Sequence, residues 1–478
     1  MKTDLAYIVS HGFAARMVMQ TDLLGKLVEQ GIRVALIAPD DKDANLRSYC
    51  SARRIELYQF NPRSTFWNTN YAQARMYFLE NINNNPALLE KYIYAMKYRN
   101  ASFKAKMKTR AFKLVHDLKE IFPFIREFFK KRESKMLSSP EADELIKKIN
   151  PSLLISTYPV NYSEAMLVKA AQNRLIKTVM HLLSWDNISC KGHFPVLADE
   201  YIAWGPIMRD ELKEYYNVDD SKIQVTGVPH FDLHRDSRRN PDFKKFLQQS
   251  GLHPEKPYIF FGMSSPRFAP KEIDIVEWLS AEVCNNSFGE KIQLIIRPHP
   301  QNVSGSMADQ SWIGRLEALR NERVVVDFPD LVKSKMPWSM QLHDMERLSQ
   351  LLAGCSVSIN SGSTLSIDAL TCGVPVILTS FDGDFELEYW KSARRLIDYT
   401  HLKKLVDLGG VSVSHCFKDL KEAIHKYIQN GNADLDKREW TVRQQTGDEN
   451  ETATNKVCKA LFNILEEVGL DVKSFNLN

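Results

Sequence analysis

The chain has 478 residues, 44% of them hydrophobic and 26% charged, with a formal net charge of +4. That length calls for at least two cores, and the ordinary apolar fraction excludes wholesale disorder and fibrous repeats. A balance of +4 says nothing about partners if it is spread evenly, so its distribution matters more than its size.

Leu5 to Val9 reads as a short buried strand. The turn Ser10 to Arg16 leads into a helix with apolar positions at Met17, Leu23, Leu24, Leu27 and Val28. Gly31 stops that helix, and Arg33 to Ala38 is a second apolar strand. This β-α-β unit seeds a parallel doubly wound sheet. It lacks GxGxxG, so nothing licenses a dinucleotide site. From about residue 62 to 135 the pattern turns helical and rich in aromatics, Asn, Lys and Arg, which reads as an insertion. Strands resume at 153–157, 178–183, 201–205 and 223–227. A polar stretch, 235–256, reads as a linker, and a second series of strands follows at 258–262, 292–296, 324–326, 357–359 and 374–378. A last helix near 452–468 repeats apolar residues at Val457, Leu461, Ile464 and Leu465.

The expected plan is an α/β protein of two Rossmann-like, doubly wound sheets facing one cleft. The first domain spans 1–235 with its insertion at about 62–135, and the second spans 250–450. The terminal segment 451–478 packs back on the first domain. Ligands in such sheets sit beyond the carboxyl ends of the strands. No run of about 18 apolar residues is present, so no membrane-spanning helix is expected, and the apolar run at the start is too short for a signal peptide. Seven scattered cysteines without a CxxC pair argue against metal and disulfide frameworks and fit a reducing cytoplasm.

Five segments at expected strand ends could carry chemistry. Asn360-Ser361-Gly362-Ser363-Thr364 joins a strand to a helix start, where free N–H groups and hydroxyls suit a phosphate. Asp368, one turn on, could accept from ribose hydroxyls; the same residues also read as a plain N-cap. Arg297-Pro298-His299-Pro300 offers a guanidinium fork and an imidazole suited to a diphosphate. Ser184-Trp185-Asp186-Asn187 follows a buried strand, as catalytic residues do and as Asp/Asn turns also do. His11 ends the first strand and is a candidate general base, with Glu164 a rival whose other reading is a favourable acid in a first helical turn. Gly262-Met263-Ser264-Ser265 could cradle a phosphate or only turn the chain.

In order and spacing these segments resemble a glycosyltransferase of the GT-B type over nearly the whole chain outside 62–135. Ser184-Trp185-Asp186-Asn187, Trp204-Gly205, Val225-Thr226-Gly227-Val228-Pro229 and Phe231-Asp232 are typical of transferases of bacterial surface polysaccharides. The pair Arg297-Pro298-His299-Pro300 and Ser361-Gly362-Ser363-Thr364 is similar to that of CDP-glycerol glycerophosphotransferases, and to motifs of sialyl- and Kdo-type transferases that use CMP-linked donors. The resemblance implies that the second domain binds a nucleotide-activated donor through Ser264, Ser265, Arg297, His299, Ser361, Gly362, Ser363, Thr364 and Asp368. The first domain would bind the acceptor, with His11 as base and Asp186 and Glu164 as runners-up. Retaining members carry Glu-x7-Glu near the last turn; Asn360 stands where the first Glu would be, so an inverting reaction is implied. No DxD cluster stands out, and neither a metal nor another cofactor is expected. Two alternatives remain open: a nucleotide-sugar 2-epimerase of the same fold, and a non-catalytic nucleotide-binding scaffold.

Charge is concentrated in the insertion. Residues 101–135 hold eleven Lys/Arg against four Asp/Glu, a local +7, which leaves −3 on the rest. Phe103, Phe112, Phe122, Phe124, Phe128 and Phe129 interleave with the basic residues. The pattern suits an anionic membrane surface or a lipid-linked acceptor, and implies a cytoplasmic protein peripheral on the inner face of the membrane. The other reading is a solvated basic helix docked on its own core. No nucleic-acid-binding signature accompanies the charge.

Overall fold

The structure, a computed structural model, describes residues 3–63, 66–303, 309–332 and 340–470. Residues 64–65 of the insertion and 471–478 of the terminal segment lie outside the described residues. Two compact units form, one from residues up to Pro229 together with 446–470, the other from His230–Val332 and Met340–Gln445.

The first unit is built on a seven-stranded parallel sheet, β1 (Leu5–Ile8), β2 (Val34–Ala38), β3 (Glu56–Gln59), β4 (Leu153–Ser156), β5 (Lys177–His181), β6 (Glu200–Ala203) and β7 (Ile223–Val225), in the order 3-2-1-4-5-6-7. Strands β1, β2 and β4 are apolar throughout or nearly so and fully buried, because helices cover both faces of a parallel sheet. Register runs Leu5 beside Val34 on one flank and Leu153 on the other. The strand order reverses between β1 and β4, the switch point at which doubly wound sheets bind ligands. Helix Ala453–Glu467 adds Val457, Leu461 and Leu465 to this unit's core, beside Leu24 and Leu27.

The insertion falls between β3 and β4, in the crossover that makes the reversal. Helices Phe66–Leu79, Pro86–Ile93, Phe103–Ile121 and Phe124–Met136 enclose a small core of Tyr71, Tyr77, Phe78, Ile82 and Leu88. The rings of Phe78 and Phe129 stack at 3.9 Å. Three contacts fasten this group to the loop after β5. Lys91 Nζ donates to the Cys190 carbonyl at 2.8 Å, Asn85 Nδ2 donates to the Ser189 carbonyl at 2.7 Å, and the His193 N–H donates to Glu80 at 2.5 Å.

The second unit repeats the plan with six parallel strands, β8 (Tyr258–Gly262), β9 (Gln293–Arg297), β10 (Val324–Val326), β11 (Val357–Asn360), β12 (Val376–Thr379) and β13 (Ser412–Ser414), ordered 10-9-8-11-12-13. Its switch point lies between β8 and β11. Gly262 ends β8, and a Cβ there would come within 1.9 Å of Leu365 Cδ2. The absence of a Cβ there leaves room for the Leu365 side chain at the start of helix Leu365–Thr371. No helix among the described residues is long and apolar enough to cross a membrane.

Candidate functional site

At the switch point of the second unit, one buried carboxyl group joins both loops. Glu272 opens helix Glu272–Cys284; its Oε2 accepts from the Ser264 N–H at 2.6 Å and its Oε1 from Ser361 Oγ at 2.5 Å. Ser361 Oγ also shares a 2.7 Å bond with Thr379 Oγ1, so the ends of β8, β11 and β12 meet at this group. Burial pushes the Glu272 pKa up to about 7, against the pull of its donors. Asn302 supports the same loop, its Nδ2 donating to the Ser264 carbonyl at 2.8 Å. The loop after β11 is shaped by Asn360, whose Oδ1 accepts from the N–H groups of Gly362 (2.8 Å) and Ser363 (3.2 Å) and from Ser366 Oγ (3.0 Å). Gly362 sits at φ 98°, a left-handed conformation that favours glycine.

These contacts correct several expectations. Arg297 is no open clamp: it is buried and ion-paired to Asp327 through one nitrogen and to Asp344 through the other at 2.6 Å. Asp327 also binds Arg347 at 2.7 Å, so the cluster is a charge-balanced strut under β9 and β10. Asp368 is turned inward, its Oδ1 2.8 Å from His234 Nε2, where ribose hydroxyls were expected. The Ser361 hydroxyl serves the frame, and the N–H groups of Gly362 and Ser363 already have the Asn360 oxygen as partner.

Ser264, Ser265, His299, Ser363 and Thr364 do come together, at the adjacent carboxyl ends of β9, β8 and β11. His299 Nδ1 accepts from the Gln301 N–H at 3.1 Å, and burial lowers its pKa to about 4. Near neutral pH its ring is therefore uncharged, with the proton on Nε2, a donor. Five buried polar atoms at the carboxyl ends of this sheet's strands have no hydrogen-bond partner among the described residues: Ser265 Oγ, Asn302 Oδ1, Asn360 Nδ2, Ser380 Oγ and Ser414 Oγ. They follow or close strands β8, β9, β11, β12 and β13. Orphaned polar atoms are expensive in a folded protein, and three of these, Ser265 Oγ, Asn302 Oδ1 and Asn360 Nδ2, follow or close the adjacent strands β8, β9 and β11.

In the first unit, His11 caps helix Gly12–Thr21, its Nδ1 accepting from the Ala14 N–H at 3.0 Å. Burial lowers its pKa, with the Glu164 charge opposing. Neutral His11 thus also carries its proton on Nε2 and acts as a donor. A base role at Nε2 would require giving up the cap. Glu164 is fully buried and accepts from Ser156 Oγ (2.6 Å), the Thr157 N–H (2.8 Å) and the Tyr158 N–H (2.9 Å). All three fall on Oε2 and shape the loop after β4, while Oε1 has, among the described residues, only Thr157 Oγ1 at 3.4 Å. Asp186 accepts from Ser184 Oγ at 2.6 Å and pairs with Lys191 at 2.8 Å. That pairing holds Lys191 in its charged form. The Tyr158 ring lies 4.9 Å from the ring of His11, and its phenol feels both Lys191 and Asp186. His11, Tyr158, Asp186 and Lys191 therefore share one electrostatic environment. Beside it a cavity of about 150 Å³ opens at the ends of β1 and β2, lined by Ser10, Pro39, Asn61, Asn161 and Glu164, with Ser10 Oγ among the unpaired buried atoms.

Two sheets of the same 3-2-1-4-5-6 order, each with its polar loops at the switch point, decide the architecture. The chain has the GT-B fold. The structure is similar to that of MnaA from S. aureus in complex with UDP (TM-score 0.54, 11% identity, 100% of both chains covered). It is also similar to UDP-GlcNAc 2-epimerase from Neisseria meningitidis bound to UDP-GlcNAc (TM-score 0.54, 10% identity, 96% of this chain and 100% of that one). A glycosyltransferase from Rickettsia africae ESF-5 gives a TM-score of 0.49 at 11% identity over 98% and 99% of the chains. No protein-family model and no curated protein matches the sequence. At these identities the likeness establishes the GT-B fold. Among the described residues no group of three or more His, Cys, Asp or Glu is placed to hold a metal ion.

Glu272 and Asn302 escaped the sequence reading. Glu272 follows Pro270-Lys271 and looks like any acid at a helix start. Asn302 lies two residues past the Arg-Pro-His-Pro segment, and its position there was the available signal.

Proposed function

We propose that the chain is a glycosyltransferase, inverting and metal-independent, that takes a sugar or glycerol phosphate from a nucleotide-activated donor. The acceptor is a surface polysaccharide or glycolipid. The observation that supports the donor half is the set of unpaired buried polar atoms, Ser265 Oγ, Asn302 Oδ1 and Asn360 Nδ2, on the strand ends at and next to the second switch point. Neutral donors there suit a diphosphate: the His299 Nε2–H and the hydroxyls of Ser265, Ser363 and Thr364 would stabilise the departing phosphate as charge develops on it, the Ser264 hydroxyl being bound to Glu272. Glu272 and Asn360 set the positions of the loops that carry them.

Inverting displacement needs a base on the acceptor hydroxyl. Asp186 fits best, because it is a carboxylate in the loop after β5 while His11 is tautomerically a donor and Glu164 is committed through Oε2 to the loop after β4. His11 Nε2–H would hold an acceptor or donor oxygen, and Lys191 holds Asp186 in place through their 2.8 Å ion pair.

Epimerisation of a nucleotide sugar is the competing reading, favoured by the fold's likeness to a protein named for that activity. Incubation with nucleotide sugar alone separates the two. Transfer requires nucleotide release that depends on an added acceptor, whereas a C2 epimer formed from donor alone would replace the proposal. Tight nucleotide binding with no turnover on any acceptor would point to a scaffold.

A further inference from the structure

Helix Phe103–Ile121 has two apolar faces. On one, Phe112 and Val115 pack into the insertion's own core, with Phe112 5.8 Å from the ring of Tyr77, while His116 and Lys119 are buried beside them. On the opposite side Phe103, Met107, Leu114, Leu118 and Ile121 all stand exposed, Phe103 at 77% and Ile121 at 67%. At 3.6 residues per turn these five fall in a stripe about 60° wide. Docking on its own core therefore accounts for the inner face and leaves the outer one unexplained.

The outer stripe runs on past the helix end. Phe122 and Phe124 lie 6.0 Å apart across Pro123, and helix Phe124–Met136 presents Phe124 at 69% and Phe128 at 62% exposure. Exposed cations flank it: Lys104 and Arg110 on the first helix, and Lys130, Lys131, Arg132 and Lys135 on the second. Contiguous exposed apolar surface of this kind marks an interaction site. Its charge selects the occupant. A two-fold dimer would place the same basic surface against itself. An anionic bilayer matches the +7 of this segment, while the aromatic and aliphatic side chains seat in the headgroup boundary and the Lys and Arg stems reach back to the phosphates.

We propose that the outer face of Phe103–Ile121 and Phe124–Met136 is a docking surface for an anionic lipid bilayer. The inner side of the same helical group holds the Ser189–Cys190 backbone through Asn85 and Lys91, so docking would fix the orientation of the loop that bears Asp186 relative to the lipid. The surface stands on its own geometry, whichever reaction the sheets support.

The test is co-sedimentation of the full chain with vesicles of phosphatidylcholine alone or with phosphatidylglycerol added at about one part in three. Binding to the anionic vesicles only is expected, falling at least about five-fold when salt is raised from roughly 0.1 to 0.5 M. Phe124→Ser with Phe128→Ser should cut it about ten-fold, as should Lys131→Glu with Lys135→Glu, with melting temperature unchanged because all four side chains are exposed. No sedimentation with anionic vesicles overturns the proposal. So does loss of a lipid-free dimer in the Phe variants, or retention of RNA in place of vesicles.

Discussion

The Glu272 carboxyl group lies 2.5 Å from the Ser361 hydroxyl, buried beneath the point where the second sheet reverses its strand order. Through Ser264 on its other oxygen, the same group fixes the loop after β8. Two loops that never meet in sequence thus share one proton-sensitive anchor.

That anchor makes stability depend on pH. Between the ordinary carboxyl value of 4.5 and about 7, the folded chain keeps a proton on Glu272 that the unfolded chain has lost. Its contribution to stability is full below about 4.5 and declines as pH rises to about 7, by an amount on the order of 3 kcal/mol. Glu272→Gln is uncharged throughout, so the melting temperature of the variant minus that of the wild type should rise between pH 5 and about 7.5. His299, held neutral to about pH 4, works in the opposite direction in both proteins and cancels in the difference. A difference flat with pH would show that Glu272 is already ionised at pH 5.

Arg297 is a test of frame against clamp. Arg297→Met leaves Asp327 and Asp344 buried without their shared cation, which should cost about 3–5 kcal/mol and lower the melting temperature by roughly 10 °C. A variant that melts normally but binds nucleotide weakly would restore the clamp reading.

His11 and Asp186 are expected to separate in kinetics. His11→Asn keeps an N-cap, since Asn accepts from the same N–H, but loses Nε2–H; turnover should fall about ten-fold with the fold intact. Asp186→Asn should lower turnover by about 10²–10⁴ while nucleotide affinity stays within two-fold or so. Near-normal turnover in Asp186→Asn would return the base to His11, and its activity should then follow the His11 titration.

The parallel sheets were legible because their strands are unbroken apolar runs, as in Leu5 to Ile8 and Tyr258 to Gly262. The strands that were missed, Glu56–Gln59 and Ser412–Ser414, lie at sheet edges, where half-exposed backbone pairing needs no apolar signature. The loops at the strand ends were legible from their Gly, Ser and His residues. Their wiring was not. Whether Arg297 meets a phosphate or Asp327 and Asp344 depends on residues 30 and 47 positions away, and nothing local to Arg-Pro-His-Pro records it. Asp368 is likewise captured by His234, 134 positions earlier.

Calorimetric titration of the full chain with CMP, CDP, UDP and GDP tests the donor site most directly. At least one nucleotide should bind with micromolar affinity, and Ser363→Ala with Thr364→Ala should weaken it about ten-fold or more, while His11→Asn leaves it unchanged. Failure of all four nucleotides to bind, or binding that survives the second-unit variants and vanishes in His11→Asn, would contradict a nucleotide site at the β8–β11 switch point.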